Sequence, residues 1–169
     1  MVASDKTIRE LIKSGELKIT PYKDYNIQPA SIDLTLGDKF KFYTDSRLYM
    51  SKKPNVQETQ GKRILLPSEF VLASTVETIE LPNGWAASVK GRSSIMRMGL
   101  FVHNGGWVDP GYKGTITLTI VNVCEKPIVL EPGVGICQLV LEKVDCDSQY
   151  TGKYQGSTGV EETKLYMDK

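Results

Sequence analysis

The sequence has a single histidine, His103, among its 169 residues, and three cysteines, Cys124, Cys137 and Cys146, with no Cys-x-x-Cys pair. That scarcity excludes a disulfide framework and the usual Cys/His zinc spacings. The zinc-dependent nucleobase deaminase signature is absent, and so is Gly-x-Ser-x-Gly, so serine–histidine chemistry would have to rely on His103 alone. A lone histidine without an evident partner reads as structural. There is no excess of charge of either sign: 21 basic side chains face 20 acidic ones, for a net charge of +1. Such a balance gives no global attraction to nucleic acid or to an anionic membrane. No apolar run approaches the ~20 residues of a membrane span. The opening MVASDKTIRELIKSGELK holds no apolar leader segment, so a cytoplasmic location is expected.

What is present reads mostly as strand. Residues 4–15 alone have helical spacing, with Ser4 or Asp5 as cap, Ile8, Leu11 and Ile12 on one face, and Gly15 at the end. Beyond it the apolar period is two, as in Ile32, Leu34 and Leu36. Further short strands are expected at Phe40–Tyr43, Ile64–Leu66, Phe70–Ser74, Thr78–Leu81, Trp85–Lys90, Thr115–Asn122, Pro127–Leu130 and Ile136–Glu142. Many short strands separated by Gly, Pro and Asn predict an all-β barrel or sandwich. Residues 51–62 read as an exposed loop or hairpin insertion. The polar stretch 145–169 reads either as a frayed terminus or as a glycine-rich arm that orders on an anionic ligand.

Three segments carry candidate chemistry. Residues 90–100, KGRSSIMRMGL, follow a strand and concentrate hydroxyls, backbone N–H groups and guanidinium forks suited to phosphate oxygens. The same residues are also compatible with a short capped helix carrying solvated arginines. In residues 103–114, Asp109 is placed either to orient or deprotonate water or simply to start a Pro-Gly turn. In residues 133–139, Gln138 interrupts an apolar strand, with a bulge at Gly135 as the structural alternative.

Taken together these segments resemble the dCTP deaminase/trimeric dUTPase family. The matching pieces are PASIDLTLGDKF (29–40), KGRSSIMRMGL (90–100), GGWVDPGYKGTITLTIVN (105–122), PGVGICQLVLEKV (132–144) and GKYQGSTG (152–159), in the family's order. The Gly-Arg-Ser-Ser run with Arg97 beyond it is most similar to the deaminase branch, which includes bifunctional deaminase–dUTPases.

The resemblance implies a distorted β-barrel or jelly-roll-like dUTPase fold over residues 1–144, with a short N-terminal helix. It implies an arm over 145–169 that closes on the site, and a homotrimer with sites between subunits. It implies a deoxynucleoside triphosphate carrying Mg²⁺, with no metal ligand from the protein. By position, Arg92, Ser93, Ser94 and Arg97 would contact phosphates. Asp109 would contact the deoxyribose or activate water, and Tyr112 would lie under the sugar and exclude a ribose. Asn104, Gly106, Trp107, Thr117 and Thr119 would border the base. Gln138 matches the glutamine of a later motif, and Tyr150, Lys153, Gln155 and Ser157 belong to the arm.

Two departures shape the expected activity. Deaminases of this family activate water with a glutamate ten residues beyond the aspartate, and here that position is Thr119. A threonine hydroxyl cannot serve as a base near neutral pH. Gly135 stands where dUTPases keep an arginine, and the arm lacks their arginine and phenylalanine. The missing glutamate favours a dUTP diphosphatase with Asp109 as base. The alternatives are a dCTP deaminase, bifunctional or not, and a non-catalytic nucleotide sensor.

Overall fold

A computed structural model of the chain describes residues 1–168. The helix α1 (Asp5–Ser14) begins where Ser4 accepts a hydrogen bond from the Thr7 amide. It ends where Gly15, at φ +80°, donates its amide to the Ile12 carbonyl. Its buried face, Ile8 and Leu11, joins the main core.

Twelve strands follow: β1 (Lys18–Thr20), β2 (Ile27–Gln28), β3 (Ser31–Tyr43), β4 (Val56–Gln60), β5 (Arg63–Leu65), β6 (Phe70–Glu80), β7 (Trp85–Gly91), β8 (Leu100–His103), β9 (Trp107–Val108), β10 (Lys113–Asn122), β11 (Ile128–Leu130) and β12 (Gly135–Lys143). Between β7 and β8 lies a single helical turn, α2 (Ser93–Met96). Ten strands form one sheet in the order β8-β10-β6-β3-β12-β7-β9, with β1 on β6 and with β2 and β4 on β3. This sheet curls into a half-barrel, and β5 and β11 form a separate pair. The all-β expectation therefore holds, short N-terminal helix included. Among the described residues no helix is long and apolar enough to cross a membrane.

The stretches expected as separate strands at 70–74 and 78–81 are one strand. Buried polar side chains mask its middle: Thr75 and Glu77 are almost fully enclosed. Across it the pairing with β10 shifts between Thr115 and Thr117, and the Thr75 hydroxyl accepts the Ile116 amide at 3.0 Å. Glu77 accepts hydrogen bonds from the Thr35 amide at 2.8 Å and the Thr35 hydroxyl at 2.7 Å. A buried carboxylate is tolerable only when partnered in this way. The polar stretch at 51–62 contributes β4, which pairs with the outer half of β3 as a hairpin.

One side chain closes the end of β10. Asn122 is fully buried, donates through Nδ2 to the carbonyls of Leu65 and Lys126, and accepts the Cys124 amide, each at 2.9 Å. Replacing it strands these buried groups. Asn122→Ala is expected to cost about 2–3 kcal/mol, read as a lower midpoint in urea denaturation at unchanged slope.

Candidate functional site

Strand β10 alternates strictly. Ile116, Leu118 and Ile120 enter the core, while Thr115, Thr117 and Thr119 are half-buried on the opposite face. That face forms one wall of a cavity of about 370 Å³. Asp109 and Tyr112 reach it from the turn before β10, Asn104 and Trp107 from the β8–β9 loop, and Tyr150 and Ser157 from the C-terminal segment. Thr117 and Thr119 complete the set of sequence-predicted residues that meet there.

The turn itself is closed by the Tyr112 amide, which donates to the Asp109 carbonyl at 3.2 Å, with Gly111 at φ +71°. Asp109 is therefore both the turn former and an exposed carboxylate at the cavity. Tyr112 is buried, donates its hydroxyl to the Thr115 carbonyl at 2.6 Å, and packs its ring 5.9 Å from that of Tyr150. His103 acts locally: its Nδ1 accepts the Gly105 amide at 2.9 Å, and Asn104 accepts the Gly106 amide at 2.8 Å, so both shape the loop.

The C-terminal segment lies beside β10 as a short parallel addition. Ser157 bridges Gly114, and the Thr115 amide donates to the Ser157 carbonyl at 3.0 Å. The Thr115 hydroxyl donates to the Gly159 carbonyl at 3.0 Å, and the Glu161 amide donates to the Thr117 hydroxyl at 3.0 Å. Gly114 makes this approach possible. At φ +146°, a Cβ there would meet the Ser157 carbonyl oxygen at 2.7 Å and the Tyr112 hydroxyl at 2.9 Å.

The remaining predicted residues lie elsewhere. Arg92, Ser93, Ser94 and Arg97 sit on and around α2, and none of them lines the cavity. Arg92 donates to the Gly135 carbonyl at 3.1 Å and pairs with Asp33 at 3.4 Å, while Gln138 donates to Asp33 at 3.1 Å and to Ser31 at 3.2 Å. These form a second, donor-rich cluster at the β3–β12–β7 junction. Its glycine has a purpose: a Cβ at Gly135 would fall 2.4 Å from the Arg92 guanidinium. The bulge expected at Gly135 is present, between Gly135 and Cys137. Gln155 is a clip, accepting the Lys113 amide at 2.8 Å and donating to the Gly111 carbonyl at 2.9 Å. Lys153 is tied to the Lys164 carbonyl and to Asp168. Gly106 lies in the loop beside the cavity rather than on its wall.

Sequence reasoning missed the far wall. Tyr43 and Phe70 stack there with ring centroids 6.0 Å apart, and Tyr154, Glu161 and Glu162 line it from the C-terminal segment. Glu162 pairs with Lys41 at 2.9 Å, and that ammonium holds its carboxyl below the usual range. Glu161 pairs with Lys164 at 2.9 Å, and the Lys164 amide donates to the Tyr154 hydroxyl at 2.9 Å. The pair raises the Lys164 ammonium above its ordinary value. The only available signal was the run Val160-Glu161-Glu162, which resembles an ordinary solvated stretch until the fold carries it to β10.

Two outcomes follow from this geometry. Gly114→Ala forces the C-terminal segment off β10 and is expected to speed limited proteolysis within residues 150–163 at least several-fold, with the core's resistance unchanged. Burial pushes the Tyr112 phenol up from its ordinary value of 10.0 to about 12. The folded state thus holds this proton after the unfolded chain has released it. Stability should be insensitive to Tyr112 below pH 10 and should fall as pH rises from 10 to about 12. Denaturation midpoints of wild type and Tyr112→Phe across that interval check it; the variant should lose the steeper part of the decline.

Comparison with known proteins places this geometry in context. Residues 2–144 match the family model described as dCTP deaminase-like. A protein of Aquifex aeolicus (strain VF5), named dCTP deaminase, dUMP-forming, is 43% identical over 179 aligned residues, covering 100% of this chain and 97% of the relative. One of Methanosphaera stadtmanae with the same name is 37% identical, covering 99% and 95%. The fold is similar to a solved 2′-deoxycytidine 5′-triphosphate deaminase from Agrobacterium tumefaciens, with a TM-score of 0.67 at 24% identity over 85% of this chain and 48% of that one. It is also similar to the EIAV dUTPase, with a TM-score of 0.52 at 21% identity over 81% of this chain and 94% of that one.

These relatives overturn the expectation of a dUTP diphosphatase as the main activity. At 36–43% identity across the chain these relatives are named dCTP deaminase, dUMP-forming, and dUTP diphosphatase does not appear in their names. The expectation rested on the lack of an acid at Thr119. Position 119 is a threonine, and two carboxylates, Glu161 and Glu162, line the same cavity from the C-terminal segment.

Proposed function

Because the chain belongs to the dCTP deaminase-like family, we propose that it converts dCTP to dUMP, releasing ammonia and diphosphate. At the coarser level it is an enzyme acting on nucleotides. The observation that carries the finer reading is the match along the whole chain to relatives named dCTP deaminase, dUMP-forming.

The geometry supports this reading in two ways. The cavity beside β10 combines a flat aromatic wall, a buried tyrosine and several carboxylates, which suits a pyrimidine nucleoside undergoing proton transfer. The cluster at Arg92–Arg97 offers guanidinium and hydroxyl donors suited to a triphosphate. In one copy of the chain these two parts share no residue. The exposed apolar side chains Met96, Met98, Phe101 and Val123 lie around α2 and β8. Both facts support a homotrimer in which the donor cluster of one copy completes the cavity of another. Mg²⁺ arrives as part of the substrate, on the triphosphate, and neutralises phosphate charge there. The setting proposed is the cytoplasm, where the nucleotide pool resides.

In this reading the base lies against Thr117, Thr119, Asn104 and Trp107, and the sugar lies over Tyr112. Asp109, at the mouth of the cavity, orients water toward the α-phosphorus, and Arg92, Ser93, Ser94 and Arg97 hold the departing diphosphate. The C-terminal segment covers the site and excludes bulk water.

Chromatography of the reaction products tests this directly. With Mg²⁺ present, dCTP should yield dUMP, diphosphate and ammonia. Intact dCTP, or binding without turnover, refutes the reading. Asp109→Asn should slow diphosphate release by ~10²–10⁴-fold while leaving dCTP affinity nearly unchanged.

A further inference from the structure

We infer that Glu161, carried by the C-terminal segment, is the proton-transfer residue that activates water against C4 of the cytosine ring. The inference rests on the deaminase reading above and assigns a catalytic residue that the strand beside the base does not supply.

Hydrolytic deamination moves two protons, so the cavity must contain a group that both accepts and returns them near neutral pH. The β10 residues that line the cavity are Ile116, Thr117 and Thr119, and neither an alkyl chain nor a threonine hydroxyl can fill that role. The carboxylates on the cavity wall are Asp109, Glu161 and Glu162. Asp109 belongs to the turn that leads into Tyr112, at the sugar end of the cavity. Glu162 is tied to Lys41 on β3, a different strand from the one assigned to the base. Glu161 differs from both. Its amide is fixed to the Thr117 hydroxyl, so its backbone is registered against the strand face assigned to the base. Its carboxylate is steadied by Lys164, whose own amide is anchored on the Tyr154 hydroxyl. The hydrogen-bonded contact at Gly114, Thr115 and Thr117 thus delivers a carboxylate to the cavity by way of the tail.

The step balances without a further reactant. Glu161 takes a proton from water as the water oxygen bonds to C4, and it passes that proton to N3. It then takes the proton of the new C4 hydroxyl and gives it to the exocyclic amino nitrogen. The C4–N4 bond breaks, the C4–O bond becomes a carbonyl, and ammonia leaves a uracil ring.

The test compares full-length wild type with Glu161→Gln, which keeps the size and hydrogen-bonding shape of the side chain. Ammonia release from dCTP and dCTP affinity are measured on the same preparations. Ammonia release should fall by ~10²–10⁴-fold, with the dissociation constant for dCTP within about threefold of wild type. Two results would sink the assignment: a variant that keeps its rate within about threefold, or one that loses affinity in parallel with rate, as a purely structural role would produce. If the wild-type protein itself releases no ammonia from dCTP, the deaminase reading fails with it. That outcome is recognisable because it precedes any substitution.

Discussion

The period-two alternation of β10 is the constraint on which the rest of the molecule depends. Its inward residues, Ile116, Leu118 and Ile120, are held in the core between β6 and β8. With that face fixed, Thr115, Thr117 and Thr119 have only one direction in which to point. A register slip of one residue would exchange the two faces and would place hydroxyls in the core and apolar side chains where Thr117 and Thr119 now stand. The same strand starts at the Asp109–Tyr112 turn and ends at Asn122. It therefore sets the positions of Asp109, Tyr112 and the buried Asn122 side chain. The C-terminal segment reads this strand too, through the hydroxyls of Thr115 and Thr117.

Features governed by local chemistry were visible in the order of residues. Ser4 and Gly15 mark the ends of α1, and the alternation of apolar residues marks β3, β7, β10 and β12, because capping and pleat both act over a few neighbours. Features governed by distant contacts were not. The polar middle of β6 reads as an interruption, since the partner that makes Glu77 acceptable, Thr35, lies 42 residues away. Likewise Glu161 reads as one more solvated acid until the fold brings it to Thr117, 44 residues earlier. Near Thr119 the strand itself carries no acid, whereas Glu161 and Glu162 line the cavity from beyond residue 150.

The two halves of the proposed site are built on different principles. The cavity is walled by aromatics and threonines on a rigid sheet and completed by a segment docked through a handful of hydrogen bonds. The donor cluster instead centres on a buried carboxylate, Asp33, which collects Arg92 and Gln138 from two different elements. Arg92 can lie against β12 only because Gly135 leaves room for its guanidinium. Absence of a side chain at one position therefore sets the orientation of a long, flexible one at another, and less of the entropy of ordering that arginine remains to be supplied when an anion binds.

Gly114 gives this economy its widest reach. A single hydrogen atom in place of a methyl group lets the end of the polypeptide nest beside a strand laid down long before it in the order of synthesis. Any larger residue at position 114 would push Ser157 away, and the hydrogen bonds that follow along Thr115 and Thr117 would have to re-form in a new register.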